Sequence, residues 1–130
     1  MVIEREEKMA RVKKTKFDIE MTRGDTYNIA IDISQLTTDD LTGAYMTCKE
    51  KDQPEGTAKF VKKLNNGITK ISDGKYKISL AREDTIGLDV DGQYMYDLEI
   101  RFSNEIKTIM WGCLKLLQDY TTPDVEGSAN

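Results

Sequence analysis

The sequence predicts an all-β protein built as an antiparallel β-sandwich of seven to eight strands. Short stretches between Lys16 and Asp119 alternate apolar and polar residues with a period of two, the mark of half-buried strands. Turn-forming residues recur between them at near-regular spacing, as in Arg23-Gly24-Asp25, Asn65-Asn66-Gly67, Asp73-Gly74 and Asp91-Gly92. No segment sustains the helical period beyond a single turn. Many short strands without helices mean a sandwich or a barrel.

Taken in order, residues 1–15 are polar, and Val2, Ile3, Met9 and Val12 fit no period, so a flexible charged N-terminal arm is expected there. The β-sandwich domain is expected over residues 16–121. Its first strand covers Lys16 to Thr22, with Phe17, Ile19 and Met21 inward, and the second covers Thr26 to Ser34, with Tyr27, Ile29, Ile31 and Ile33 inward. A polar loop leads through Leu41-Thr42-Gly43-Ala44 into a third strand that turns Ala44, Met46 and Cys48 to the core. Pro54 and Gly56 interrupt the ladder. Weaker strands follow at Thr57 to Leu64 and Gly67 to Ile71, then a clear one at Lys75 to Leu80. Arg82-Glu83-Asp84-Thr85 breaks the alternation and reads as one helical turn before the penultimate strand. Residues 122–130 carry Pro, Gly, Ser and Ala in a polar context and are expected to form a flexible C-terminal tail.

The strongest signal lies between Gly92 and Asp119. Tyr94, Tyr96, Leu98, Ile100 and Phe102 alternate strictly with polar neighbours, and a second long strand returns after Ser103-Asn104-Glu105. The expected hairpin sets Phe102 against Ile106, Ile100 against Thr108, Leu98 against Met110 and Tyr96 against Gly112. That register gathers the large apolar side chains on one face, and a slip of one residue would scatter them. It also lays an aromatic ring over a strand glycine.

The helical turn followed by Asp91-Gly92-Gln93-Tyr94 resembles the corner of immunoglobulin-like domains, where a tyrosine ties the loop to the sheet. By that likeness Tyr94 is a structural corner tyrosine. Tyr96 stands where an antibody domain has its second cysteine, and Trp111 lies late in the chain, so the antibody-type core is missing.

Composition narrows the chemistry. The chain of 130 residues is 38% hydrophobic and 32% charged, ordinary for a soluble globular protein, and holds no apolar run long enough to span a membrane. Its first residues lack the apolar segment of a secretory signal, so folding in the cytoplasm is expected. The net charge of −4 divides into +3 over residues 1–16 and −7 over the remainder. An acidic body argues against nucleic acid as a partner. The chain has no histidine, which excludes Ser-His-Asp and Cys-His catalysis and histidine metal sites. No catalytic residues, cofactor-binding residues or metal ligands are expected, and the protein reads as a non-enzyme.

Several patterns invite a site and have plainer explanations. Arg23-Gly24-Asp25 is the tripeptide that integrins read, yet between two strands it is a turn. Asp39-Asp40, Asp84, Asp89 and Asp91 lack the spacing of a calcium loop. Asp97 and Glu99 share the outer face of a strand without forming an acid/base pair. By parity Cys48 is inward and Cys113 outward, which predicts two free thiols. The outer face of the last strand carries more information. Met95, Ile109, Trp111 and Leu117 are expected on the side away from the core, as a candidate protein interface or a patch capped by the protein's own chain.

In order along the chain, Met21-Thr22-Arg23-Gly24-Asp25-Thr26, Leu41-Thr42-Gly43-Ala44, Glu83-Asp84-Thr85, Gly92 to Ile100 and Trp111-Gly112-Cys113-Leu114 resemble small immunoglobulin-like β-sandwich proteins of phage and prophage tails and baseplates. The likeness includes the N-terminal domain of upper baseplate proteins and spans about residues 17–121. It implies a non-enzymatic structural role in a virion or phage-like particle. The implied partners are other tail or baseplate proteins or further copies of the chain, with no nucleic acid, membrane or cofactor. The rival class is a small carbohydrate- or ligand-binding sandwich module, for which Tyr45, Tyr120 and Trp111 are the available aromatic platforms.

Overall fold

The computed structural model describes the backbone of Val2–Ile3 together with residues 14–122 and 124–125. Its strands are β1 (Val2–Ile3), β2 (Thr15–Lys16), β3 (Ile19–Thr22), β4 (Tyr27–Asp32), β5 (Gly43–Glu50), β6 (Phe60–Leu64), β7 (Gly67–Ser72), β8 (Lys75–Leu80), β9 (Tyr94–Phe102) and β10 (Glu105–Leu117). One helical turn, α1 (Arg82–Thr85), stands before β9. Of the expected N-terminal arm, β1 pairs antiparallel with β4 and Thr15 already pairs with Met110, while residues 4–13 lie outside the described residues. Most of the expected C-terminal tail lies outside them as well.

The strands form a curled sheet whose two halves face each other across one core. One half runs β1-β4-β8-β7 and the other β6-β5-β9-β10, with β2 and β3 along the far side of β10. The halves join where β6 and β7 pair for two residues, Lys63 with Gly67 and Leu64 with Ile68. Lettered in chain order, the halves read A-B-E-D and C′-C-F-G, the strand order of an immunoglobulin-like β-sandwich. Alternation supplies the core. Ile29 and Ile31 from β4, Tyr76, Ile78 and Leu80 from β8, Met46 and Cys48 from β5, and Leu98 and Ile100 from β9 all bury their side chains in it.

The corner is built as the sequence predicts. The Asp89 N–H donates to the Tyr94 hydroxyl at 3.0 Å, tying the crossover to the start of β9. A Cβ on Gly92 would lie 2.5 Å from Tyr94 Cζ, so the bare glycine lets the ring pass. At α1 the Asp84 carboxylate accepts the Ala81 N–H at 2.7 Å and pairs with Lys62 of β6 at 2.6 Å, fastening the turn to the opposite half.

The β9–β10 hairpin departs from expectation near its tip. The turn is the two-residue Ser103-Asn104, both with positive φ (46° and 66°), and not three residues ending at Glu105. Primed turns of this kind match the twist of paired strands. Phe102 therefore meets Glu105 and Ile100 meets Lys107, and Ile106, expected inward, is 63% exposed. A β-bulge between Thr108 and Met110 then absorbs one residue. Beyond it Leu98 faces Met110 and Tyr96 faces Gly112, the pairs the alternation predicts.

Candidate functional site

Strand order and pleat together build the outer face of the β5–β9–β10 half. Trp111 lies opposite Asp97, Asp97 opposite Thr47, and Thr47 opposite Val61, making one row across four strands. Lys16 of β2 closes that row beside Trp111. The next row sets Lys49, Met95 and Cys113 side by side, and the row above sets Lys63, Tyr45, Glu99 and Thr108. All point away from the core because neighbours on a strand alternate faces.

The N-terminal strands hold one border of this face in place. Phe17 N–H donates to the Trp111 carbonyl at 2.8 Å, and the Asp18 carboxylate accepts the Cys113 N–H at 3.0 Å. That backbone hydrogen bond is the main reason the Asp18 carboxyl is held below its ordinary range. The Tyr96 hydroxyl reaches through beside Gly112 and donates to the Phe17 carbonyl. A Cβ on Gly112 would collide with that same carbonyl, which is why the strand carries glycine there. The Lys16 ammonium lies 5.5 Å from the centroid of the half-buried Trp111 ring. Arg101 sits 4.9 Å from the Tyr45 ring and binds Glu99 at 2.9 Å.

Asp97 stands at the middle of the face. Burial among its neighbours, then the nearby Glu99, pushes its carboxyl above the usual carboxylate range, against the pull of Lys14 and Lys49. Among the described residues it has neither an ion pair nor a side-chain hydrogen bond. Beside it opens a cleft of about 350 Å³, bordered by Thr47, Lys49, Pro54 and Met95.

Of the four expected interface residues, Met95 and Trp111 come together on this face, both half-buried. Leu117 lies further along β10 and is 40% exposed. Ile109 is a correction. The bulge turns it inward, it is fully buried, and it belongs to the core. Nor is β10 an open edge, since β2 and β3 pair along it. Parity alone missed Thr47, Val61 and Lys63, because which strand lies beside β9 is not written in any local pattern. Asp97 was visible as an outer-face charge, but its isolation depends on that neighbourhood.

The other candidate patterns are structural. Arg23 is drawn into the body, donating to the Asp119 carboxylate at 2.8 Å and to the Leu88 carbonyl at 3.0 Å. Gly24 takes a positive φ of 84° and gives its N–H to the buried Thr85 hydroxyl. The tripeptide is thus a lock between the β3–β4 turn, α1 and the segment after β10. Cys48 is buried and Cys113 half-buried, both as free thiols. Burial pushes the Cys48 thiol up to about 12, and burial together with Asp18 raises that of Cys113. Among the described residues no three acidic or thiol groups cluster as a metal site, and no helix is long and apolar enough to cross a membrane.

No protein-family model matches the chain, and no curated protein matches it. Among solved structures the chain is similar to the extracellular fragment, with stalk region, of novel immune-type receptor 11 from Ictalurus punctatus. The identity is 12% and the TM-score 0.41, over 92% of this chain and 95% of that one. The immunoglobulin-like class stands here on the strand order and the corner tyrosine.

Proposed function

We propose that the protein is a non-catalytic assembly module that works by presenting the outer face of β5, β9 and β10 to protein partners. The particle we assign it to is a phage or prophage-derived tail or baseplate, following the resemblance carried by the segments from Met21 to Leu114. In that setting the chain folds in the bacterial cytoplasm and acts in the assembled particle. The observation that carries the reading is the half-buried Trp111 beside Met95 on a face the sandwich core does not use. Tryptophan and methionine are favoured in protein contacts, and binding energy concentrates in a few such residues. A sugar-binding module is less well supported. Its rings need a bare face for stacking, whereas Lys16 lies over Trp111 and Arg101 over Tyr45, which leaves of the three platforms only Tyr120, 88% exposed, uncovered by a cation.

Trp111→Ala tests the reading by light scattering and thermal melting. An assembly residue on a finished face gives a mutant that melts with the wild type and loses assembled mass. A monomeric wild type whose mutant melts far earlier, by the equivalent of about 3–5 kcal/mol, would make Trp111 a packing residue of its own chain.

A further inference from the structure

We propose a second binding site, for a neutral saccharide, in the cleft between the β3–β4 turn, α1 and the segment that follows β10, with Tyr120 as its stacking platform. The cleft measures about 400 Å³, within the range of small-molecule sites. None of its lining residues lies on β5, β9 or β10, so this goes beyond the assembly reading and does not depend on it. Asp119 is its buried floor, the half-buried Arg23 and Arg82 line its walls, and Asp25, Gln118 and Tyr120 are exposed at its rim. Among the described residues Tyr120 is the most exposed large apolar side chain, and no cation lies over its ring. The sandwich core makes no use of it.

The chemistry of the cleft selects the ligand. Two arginines and two aspartates line it, so their charges cancel and neither an anion nor a cation is favoured. What remains is a dense set of hydrogen-bond donors and acceptors from guanidinium, carboxylate and amide groups. One of them is unsatisfied. Asp119 Oδ1 accepts from Arg23 Nε at 2.8 Å, whereas the buried Asp119 Oδ2 has no partner among the described residues. A buried acceptor without a donor is costly, and a ligand hydroxyl supplies the donor without bringing a charge. That oxygen is covered, so a ligand reaches it as the exposed side chains beside it, Gln118 and Tyr120, turn aside by ordinary rotamer motion. The walls are set beforehand, which lowers the cost of binding. Arg23 also donates to the Leu88 carbonyl at 3.0 Å, and Gln118 Nε2 donates to the Asp119 carbonyl at 2.8 Å. A neutral molecule with many hydroxyls and an apolar C–H face is a saccharide. The negative face of an aromatic ring attracts such C–H groups.

The test is binding of saccharides to the full chain, first on a glycan array and then by isothermal titration with cellobiose, maltose, lactose and chitobiose. Thermal melts serve as the folding control. At least one neutral saccharide should bind at millimolar concentration or below. Tyr120→Ala should weaken that binding by at least about tenfold, because the stacked ring is lost. The side chain is exposed, so the variant should melt with the wild type. Tyr120→Phe keeps the ring and should bind as the wild type does. Sugars carrying a carboxylate or an amine should bind no better than their neutral parents. Absence of binding by every neutral saccharide at millimolar concentration overturns the proposal. So does binding that survives Tyr120→Ala, which places it elsewhere, or a clear preference for a charged sugar.

Discussion

Arg23 shows how a residue can look functional in sequence and be structural in the fold. Its guanidinium is 22% exposed and binds an Asp119 side chain that is 6% exposed, whose second oxygen has no partner among the described residues. Removing the cation would strand a buried carboxylate, which is costlier than losing a surface pair. Arg23→Ala should destabilise the fold by about 3–5 kcal/mol in urea titrations. A loss below about 1 kcal/mol would mean that water reaches Asp119 freely. Asp97 behaves in the opposite sense. Its folded-state carboxyl is raised from 3.8, so the folded chain holds the proton more tightly than the unfolded one. The resulting cost is absent well below that value, appears as pH rises through it, and is complete above the raised one. Asp97 is exposed, so solvent screens most of this cost, and Asp97→Asn, measured at dilutions where the protein is monomeric, should raise stability at neutral pH only slightly, well under about 0.5 kcal/mol. The gain should vanish in acid. A variant less stable than the wild type at neutral pH would show that the carboxylate is satisfied within its own chain.

At the scale of elements, the hairpin separates what a sequence displays from what it conceals. Leu98 and Ile100 are fully buried, and Glu99 between them faces outward. Truncating either apolar residue to Ala should cost about 2–5 kcal/mol, and Glu99→Ala under about 0.5, in equilibrium unfolding. The pairs Leu98–Met110 and Tyr96–Gly112 were legible because a period of two leaves only two registers, and one of them buries nothing. The tip was not legible. Asn104 accepts a positive φ, so a two-residue turn closes, and the displaced residue reappears as the bulge that sends Ile109 into the core. Turn length and bulge compensate each other, and periodicity is blind to such a pair of changes. The same holds for Gly112, whose reason is the Phe17 carbonyl, from the link between β2 and β3 nearly a hundred residues away in sequence.

At the scale of the molecule, strand order turns scattered outer positions into a surface. Trp111, Met95, Asp97, Thr47 and Lys63 come from three parts of the chain and meet only because β5 separates β9 from β6. The parity of each residue could be read locally, but its neighbours could not, so half of the candidate site was legible and its charge logic was not. The single tryptophan makes the face observable, since intrinsic tryptophan emission reports on Trp111 alone. The most direct measurement is that emission, with acrylamide quenching, followed as the wild-type protein is diluted. If copies meet on this face, emission should be blue-shifted and protected at high concentration, then move to the red and become quenchable as the mass falls to that of one chain. Emission and quenching that stay constant while the assembled mass falls would place the contact elsewhere and contradict the account.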